Sequence, residues 1–141
     1  MTELRYCTFV VGDLLVGLPV TEVLEVLHDQ QLTDVPLAPD GVVGMLNLRG
    51  HIIPAVDVRR RFGLTPRAAE EDLTHVIVPV LGEQISLVVD AASDVVTVAA
   101  EDQDDVPETV SQSTRRLLCA SFQLPTALLL VLDAPAVVTP A

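Results

Sequence analysis

Short hydrophobic runs alternate with turn residues along the chain. Nine runs have about the length of a β-strand and are rich in Val, Ile and Leu, and Gly, Pro and Asp lie between them. The pattern predicts an all-β protein whose strands cover Tyr6–Val11, Leu14–Leu18, Val42–Leu48, Ile52–Val58, His75–Leu81, Ile85–Val89, Val95–Val98, Leu117–Phe122 and Leu128–Leu132.

Three pairs of these runs are joined by a glycine followed by one other residue. The steps are Gly12-Asp13, Gly50-His51 and Gly82-Glu83. Glycine adopts a positive φ without steric cost, which the first central position of a type II′ hairpin turn requires. The sequence therefore predicts three tight hairpins.

Helical signals are few. Val58–Leu64 predicts one or two helical turns ended by Gly63, because glycine commonly follows the last residue of a helix. Val20–Leu27 has apolar residues at helical spacing, although its valines disfavour a helix. Residues 99–114 are acidic and polar, which predicts a mobile loop.

The chain contains an internal repeat. Val43–Asp57 aligns with Cys119–Asp133 without gaps, and Leu18–Leu27 aligns with Leu87–Val96. Both halves then have the same order of a hairpin, an acidic bend, a long connection, a second hairpin and an aspartate. This order predicts two similar small β-barrels that bury one apolar seam between them.

The repeat also indicates different roles for two candidate residues, Arg49 and Glu25. Arg49 aligns with Pro125, so hairpin geometry does not require an arginine there and a specific partner for Arg49 is expected. Glu25 aligns with Asp94, which is consistent with a structural acid in both halves that accepts backbone hydrogen bonds.

Charge narrows the function. The 141 residues carry a net charge of −12, and all eight basic residues are Arg. This balance argues against nucleic acids and anionic membranes, which bind through Lys and Arg. Five of the arginines lie within residues 49–67, where Arg59, Arg60 and Arg61 are consecutive. This basic segment is either a solvated surface or a patch for an acidic protein partner.

Catalytic and metal-binding patterns are not found in the sequence. Cys7 and Cys119 lie in apolar segments and are expected to be small buried residues without a disulfide. His28, His51 and His75 are too far apart in the sequence for a metal-binding motif, and the glycines form no phosphate-binding loop. We therefore expect no catalytic residue, no metal and no cofactor. The first residues resemble no secretory leader, which predicts a cytoplasmic protein.

One region is specific enough to indicate a family. Pro36–Pro39, Val42–Arg59 and Arg61–Leu64 closely resemble the CheW-like domain of bacterial chemosensory coupling proteins. The most specific part is Asn47-Leu48-Arg49-Gly50, followed by Ile52-Ile53-Pro54 and Asp57. The resemblance extends over about residues 6–135.

The resemblance implies a fold and its division. The fold is two five-stranded SH3-like β-barrels packed together, with one or two short helices. Residues 1–141 are then a single domain, in which the first barrel covers about residues 14–75 and the second covers about residues 6–12 and 76–135.

The resemblance also implies a function without catalysis. Such a protein is an adaptor that joins the regulatory domain of a CheA-type histidine kinase to the cytoplasmic tip of a chemoreceptor, in arrays at the inner membrane. An acidic β-barrel enzyme or ligand-binding protein is the alternative, and it predicts a deep polar pocket. The implied contact residues are Val23, Glu25, Gly44, Asn47, Arg49, Thr74, His75 and Val95, beside the basic patch Arg59, Arg60 and Arg61.

Overall fold

The computed structural model describes residues 2–39, 41–65 and 73–139, and these ranges are mainly β-structure. Each of the nine predicted runs forms the body of a strand, so the all-β class is confirmed. The strands are Glu3–Val11 (β1), Leu14–Pro19 (β2), Glu25–His28 (β3), Leu32–Thr33 (β4), Val42–Leu48 (β5), His51–Asp57 (β6), Thr74–Val80 (β7), Glu83–Val89 (β8), Ala91–Ala99 (β9), Leu118–Gln123 (β10) and Leu128–Leu132 (β11).

The strands form two sheets of matching topology. Sheet A has the order β10-β11-β2-β1-β9, and sheet B has the order β3-β7-β8-β6-β5-β4. In each sheet an antiparallel hairpin joins a second one through a parallel pair, β11 with β2 in sheet A and β6 with β8 in sheet B. The repeated order of elements is therefore confirmed, with β4 as an additional strand.

The sheets divide the chain differently from the predicted barrel boundaries. Leu14–Pro19 pairs with β1 and lies in sheet A, whereas Thr74–Val89 lies entirely in sheet B. The reason is that the β1–β2 and β7–β8 hairpins each stay intact as an antiparallel pair. The β1–β2 hairpin joins three strands of the other repeat and the β7–β8 hairpin joins four, so the two repeats exchange their first hairpins.

Both sheets curl, and an apolar seam lies between them. Val96 on β9 and Phe122 on β10 share one core cluster although their strands are at opposite edges of sheet A. Along β11, Leu129 faces this interior, whereas Leu130 belongs to the larger cluster that both sheets build. This alternation buries both faces of β11, and the predicted seam between the sheets is confirmed. Its buried members include Phe9, Val16, Leu18, Val76, Val78, Leu87, Leu117, Leu130 and Val137.

Two of the three predicted turns begin one residue earlier than expected. Gly12-Asp13 forms the β1–β2 turn, with Gly12 at φ +59°. The other two turns are Arg49-Gly50 and Leu81-Gly82, and all four of these residues have positive φ. They have the backbone signs of a type I′ turn, in which glycine takes the second position.

Aspartates begin two short helices at equivalent places in the repeat. Asp57 accepts a hydrogen bond from the backbone N–H of Arg59 and caps α1 (Val58–Arg61), which confirms the predicted helix there. Asp133 accepts one from Ala136 N–H and caps α3 (Ala134–Val138), which the hydrophobic pattern did not reveal. No helix among the described residues is long and apolar enough to cross a membrane.

Two segments differ from their predicted structure. Val20–Leu27 is a 3-10 turn over Val20–Glu22 followed by β3. Residues 99–114 hold a 3-10 turn, Ala100–Asp102, and the start of α2 (Gln112–Arg115). Asp104 exchanges two backbone hydrogen bonds of 2.9 Å with Ser121 on β10, so the acidic segment covers an edge of sheet A.

Candidate partner-binding surface

An exposed ion pair links the edge strand β3 of sheet B to the turn that follows β5. Arg49 Nη2 lies 2.5 Å from Glu25 Oε1, and Arg49 Nη1 donates to Glu25 Oε2 at 3.1 Å. Glu25 begins β3 at one edge of the sheet, and Arg49 lies in the turn after β5, near the other edge. The hydrogen bond from Arg49 lowers the pKa of the Glu25 carboxyl, so the pair stays charged.

The turn after β5 holds Arg49 in a costly conformation. Arg49 has φ +51°, a left-handed conformation that residues with a Cβ rarely adopt. The Oδ1 atom of Asn47 accepts a hydrogen bond of 3.2 Å from Gly50 N–H and supports the turn. Left-handed residues that the surrounding structure imposes are concentrated at functional sites. Asn47 and Arg49 are therefore both exposed at this turn, and their partner contacts stay predictions.

An exposed leucine adjoins the ion pair. The side chain of Leu24 is 53% exposed although its backbone N–H donates to Ile77 O at 2.8 Å. Val23, the preceding residue, is half-buried and packs against the seam. Leu24, Glu25, Asn47 and Arg49 together form what we call the β3-edge surface. Sequence reasoning missed Leu24 because the apolar spacing of Val20–Leu27 resembled a helix; its place directly before Glu25 was the available signal.

Three predicted contact residues are buried in sheet B and are not part of a surface. A Cβ on Gly44 would lie 2.9 Å from Leu32 Cβ, because β4 covers this position. Thr74 Oγ1 lies 3.2 Å from His28 Nδ1. His75 Nδ1 lies 3.0 Å from Ser86 Oγ, and burial lowers the pKa of His75. Gly44, Thr74 and His75 are therefore not exposed to a partner in this structure, and their predicted contacts stay predictions.

Val95 lies in the other sheet. It pairs with Cys7 in the β1–β9 ladder, and its side chain is largely exposed. β9 is an edge strand of sheet A, as β3 is of sheet B. Val95 therefore remains a candidate contact on a second edge.

The predicted basic patch is mostly turned inward. Arg61 is 3% exposed and donates to backbone carbonyls of α3. Arg59 forms an ion pair of 2.9 Å with Asp90. Arg60 is the exposed member of the three. The cause is the position of α1 between the sheets, which consecutive arginines in the sequence do not reveal.

Other chemistry is sparse among residues 2–39, 41–65 and 73–139. No three His, Cys, Asp or Glu side chains in these ranges are grouped as metal ligands. Cys7 and Cys119 are free thiols; Cys7 is half-buried and Cys119 is exposed, which corrects the expectation that both are buried. Desolvation raises the pKa of both thiols. An open groove of about 770 Å³ between the β1–β2 turn and α1 has mainly leucine and threonine in its wall.

Two curled sheets around one seam, with exposed edges and an ion pair, define a small double-barrel binding module. The CheW-like domain matches residues 5–140, and this chain belongs to that family. Its members are non-enzymatic adaptors of the chemotaxis type, so the expected adaptor without catalysis is confirmed.

Individual relatives agree with this assignment. The chemotaxis protein CheW of Rhizobium meliloti is 37% identical over 109 residues, 76% of this chain and 69% of that protein. CheW of Helicobacter pylori is 29% identical over 110 residues, 78% of this chain and 67% of that protein. The crystal structure of the scaffolding protein TtCheW from Thermoanaerobacter tengcongensis is similar with a TM-score of 0.84 at 27% identity, covering 94% of this chain and 90% of that chain. The two SH3-like barrels are thereby confirmed.

Proposed function

We propose that this chain couples a CheA-type histidine kinase to the cytoplasmic tips of chemoreceptors, as a cytoplasmic protein recruited to receptor arrays. The observation that carries this proposal is the β3-edge surface, where an exposed bidentate ion pair adjoins an exposed leucine. In a family of adaptors, such a surface is the place to expect a partner.

The ion pair contributes little to the fold by itself. The side chains of Arg49 and Glu25 are 67% and 31% exposed, and ion pairs in water are weak because solvent screens them. A partner that covers the pair removes this water and strengthens its hydrogen bonds. Arginine is also common among the residues that dominate binding energy at interfaces. Arg49 is therefore better explained by binding than by stability.

The exposed residues at the two sheet edges suit one partner, and the barrel surfaces remain for a second. In this proposal the receptor tip binds the β3-edge surface together with Val23 and Val95, and the kinase regulatory domain packs against a barrel. Exposed Leu24 and Val95 supply the apolar part of the receptor contact, since burying such side chains is favourable. The ion pair supplies its orientation, because charge-assisted hydrogen bonds require a defined geometry.

Arg49→Gly separates binding from folding. Glycine adopts the positive φ at this turn without strain, so the variant loses the guanidinium but is expected to keep or raise its melting temperature. In a calorimetric titration, the affinity of this variant for the receptor tip should then be at least about ten-fold lower than that of the wild type, a loss of about 1.4 kcal/mol in binding free energy.

Arg60→Gln is the matched control, because Arg60 is an exposed arginine outside the β3-edge surface. Its affinity for the receptor tip should equal that of the wild type. Unchanged receptor affinity of folded Arg49→Gly would refute the role of this surface. If the wild type binds neither the receptor tip nor the kinase regulatory domain, the coupling function itself is refuted.

A further inference from the structure

The helix α1 contacts both barrels through two of its arginines. It follows β6 directly and packs on β8, so it belongs to sheet B. Arg59 donates to Asp90 at the β8–β9 junction, where the chain passes from sheet B to sheet A. Arg61 donates to α3, which follows β11 of sheet A and packs on β7 of sheet B.

Arg59 connects α1 to the first turn of sheet A through one carboxylate. Its Nη1 donates to Asp90 Oδ2 at 2.9 Å, and the same oxygen accepts the backbone N–H of Gly12 at 2.6 Å. Asp90 lies between β8 and β9, where the chain passes from sheet B to sheet A. Arg59 Nε also donates to Thr65 O at 2.6 Å, which holds its guanidinium in place.

Arg61 connects α1 to the helix that follows sheet A. Its Nε donates to Val137 O at 2.9 Å, and its Nη2 donates to Thr139 O at 2.7 Å and Ala136 O at 3.4 Å. The last carbonyls of a helix have no partner within the helix, so Arg61 satisfies them. α3 follows β11 and buries Ala134 and Val137 in the seam.

The Arg61 side chain passes close to Gly41, where the absence of a Cβ leaves space for it. Gly41 has φ +87°, and a Cβ there would lie 2.5 Å from Arg61 Cδ and 2.9 Å from Arg61 Cγ. A larger residue at position 41 would therefore force the Arg61 side chain to move. The position of Arg61 is thus set from both sides.

The seam and the two arginines differ in how they hold the barrels. Its buried residues are mostly Val and Leu, and the hydrophobic effect that holds them is not directional. Hydrogen bonds and ion pairs to a guanidinium do impose a geometry. We propose that Arg59 and Arg61 form an inter-barrel clamp that sets the orientation of sheet A relative to sheet B, while the seam supplies the cohesion.

Distances between spin labels on the two sheets test the clamp. One label replaces the exposed Thr97 on β9 and the other replaces the exposed Gln84 on β8, with both native cysteines changed to serine. In the Arg59→Gln/Arg61→Gln variant, the distribution of label distances should broaden and its mean should shift. Arg60→Gln removes the same charge from the same helix and should leave the distribution as in the wild type.

Hydrogen exchange separates loosening of the clamp from general destabilisation. Exchange should accelerate at the amides of Val137 and Thr139, and it should remain slow at Leu87 and Leu130 in the strands. A folded double variant with the distance distribution of the wild type would overturn the proposal, as would uniform acceleration at all four amides. If the double variant does not fold, Arg59→Gln alone is measured, because the ion pair that it removes is partly exposed. An unchanged distribution of label distances in this variant would again overturn the clamp.

Discussion

Replacing Gly44 with alanine tests whether this position belongs to a docking surface or to the wall of a barrel. The added Cβ would lie 2.9 Å from Leu32 Cβ and 3.0 Å from the backbone oxygen of Thr33. Neither atom lies at the far end of a flexible side chain, so β4 itself must move. Overpacking of this kind costs about 1–3 kcal/mol, and the lower entropy of the unfolded alanine chain returns about 0.5–1 kcal/mol. The expected net loss of stability is about 0–2.5 kcal/mol, centred on about 1 kcal/mol.

Gly17→Ala is the comparison for this variant. Its new Cβ would also lie 2.9 Å from a neighbour, but that neighbour is Leu129 Cδ1, the end of a flexible side chain. The loss should therefore be smaller than for Gly44→Ala. Urea unfolding followed by circular dichroism gives both values, and calorimetry gives the receptor affinity of the folded fraction. A Gly44→Ala variant with unchanged stability and lost receptor affinity would refute the burial argument.

Two further outcomes concern a turn and a histidine. Leu81→Asn should raise the free energy of unfolding by about 1 kcal/mol, because Leu81 is 94% exposed at φ +51°, where asparagine is tolerated better. Leu81→Ala keeps the same backbone strain and should not raise the free energy of unfolding. An equal gain in both variants would contradict this reason. Burial lowers the pKa of His75, so below its ordinary value of 6.5 the unfolded state binds more protons than the native state. The free energy of unfolding should fall as the pH drops through this range, by at most about 1.4 kcal/mol per pH unit, and should not change for this reason above it. Urea unfolding at about pH 7.5 and about pH 5.5 should give a smaller difference in His75→Gln than in the wild type, whereas the exposed control His51→Gln should keep the wild-type difference.

The hydrophobic pattern predicted the strands well and their turns less well. β-Branched runs bounded by turn residues define strands well where both faces are largely buried, as in β7, β8 and β11. The turn register depended on which residue adopts a positive φ. Arg49 and Leu81 do so at a steric cost that the sequence pattern does not reveal. β3 and β4 were missed because four and two residues are too few for a pattern.

The candidate surface was predicted in part, and the errors have one cause. Glu25 and Arg49, which the resemblance implied as contact residues, form an exposed ion pair. Gly44, His75 and Arg61 were misplaced because tertiary contacts decide their burial. Arg61 is covered by carbonyls about 76 residues further along the chain, a contact that the local sequence cannot reveal.

The exchange of hairpins between the two repeats has a consequence for folding during synthesis. The β1–β2 hairpin leaves the ribosome before the other strands of this domain, yet its neighbours in the sheet are β9 and β11. Until residues 91–132 emerge, both outer edges of this hairpin remain without their strands. Pairing of distant segments is slow, and unpaired edges invite aggregation while it proceeds. Neither half of the gene therefore encodes a unit that closes its own barrel, but two separately expressed halves have the complementary edges needed to assemble.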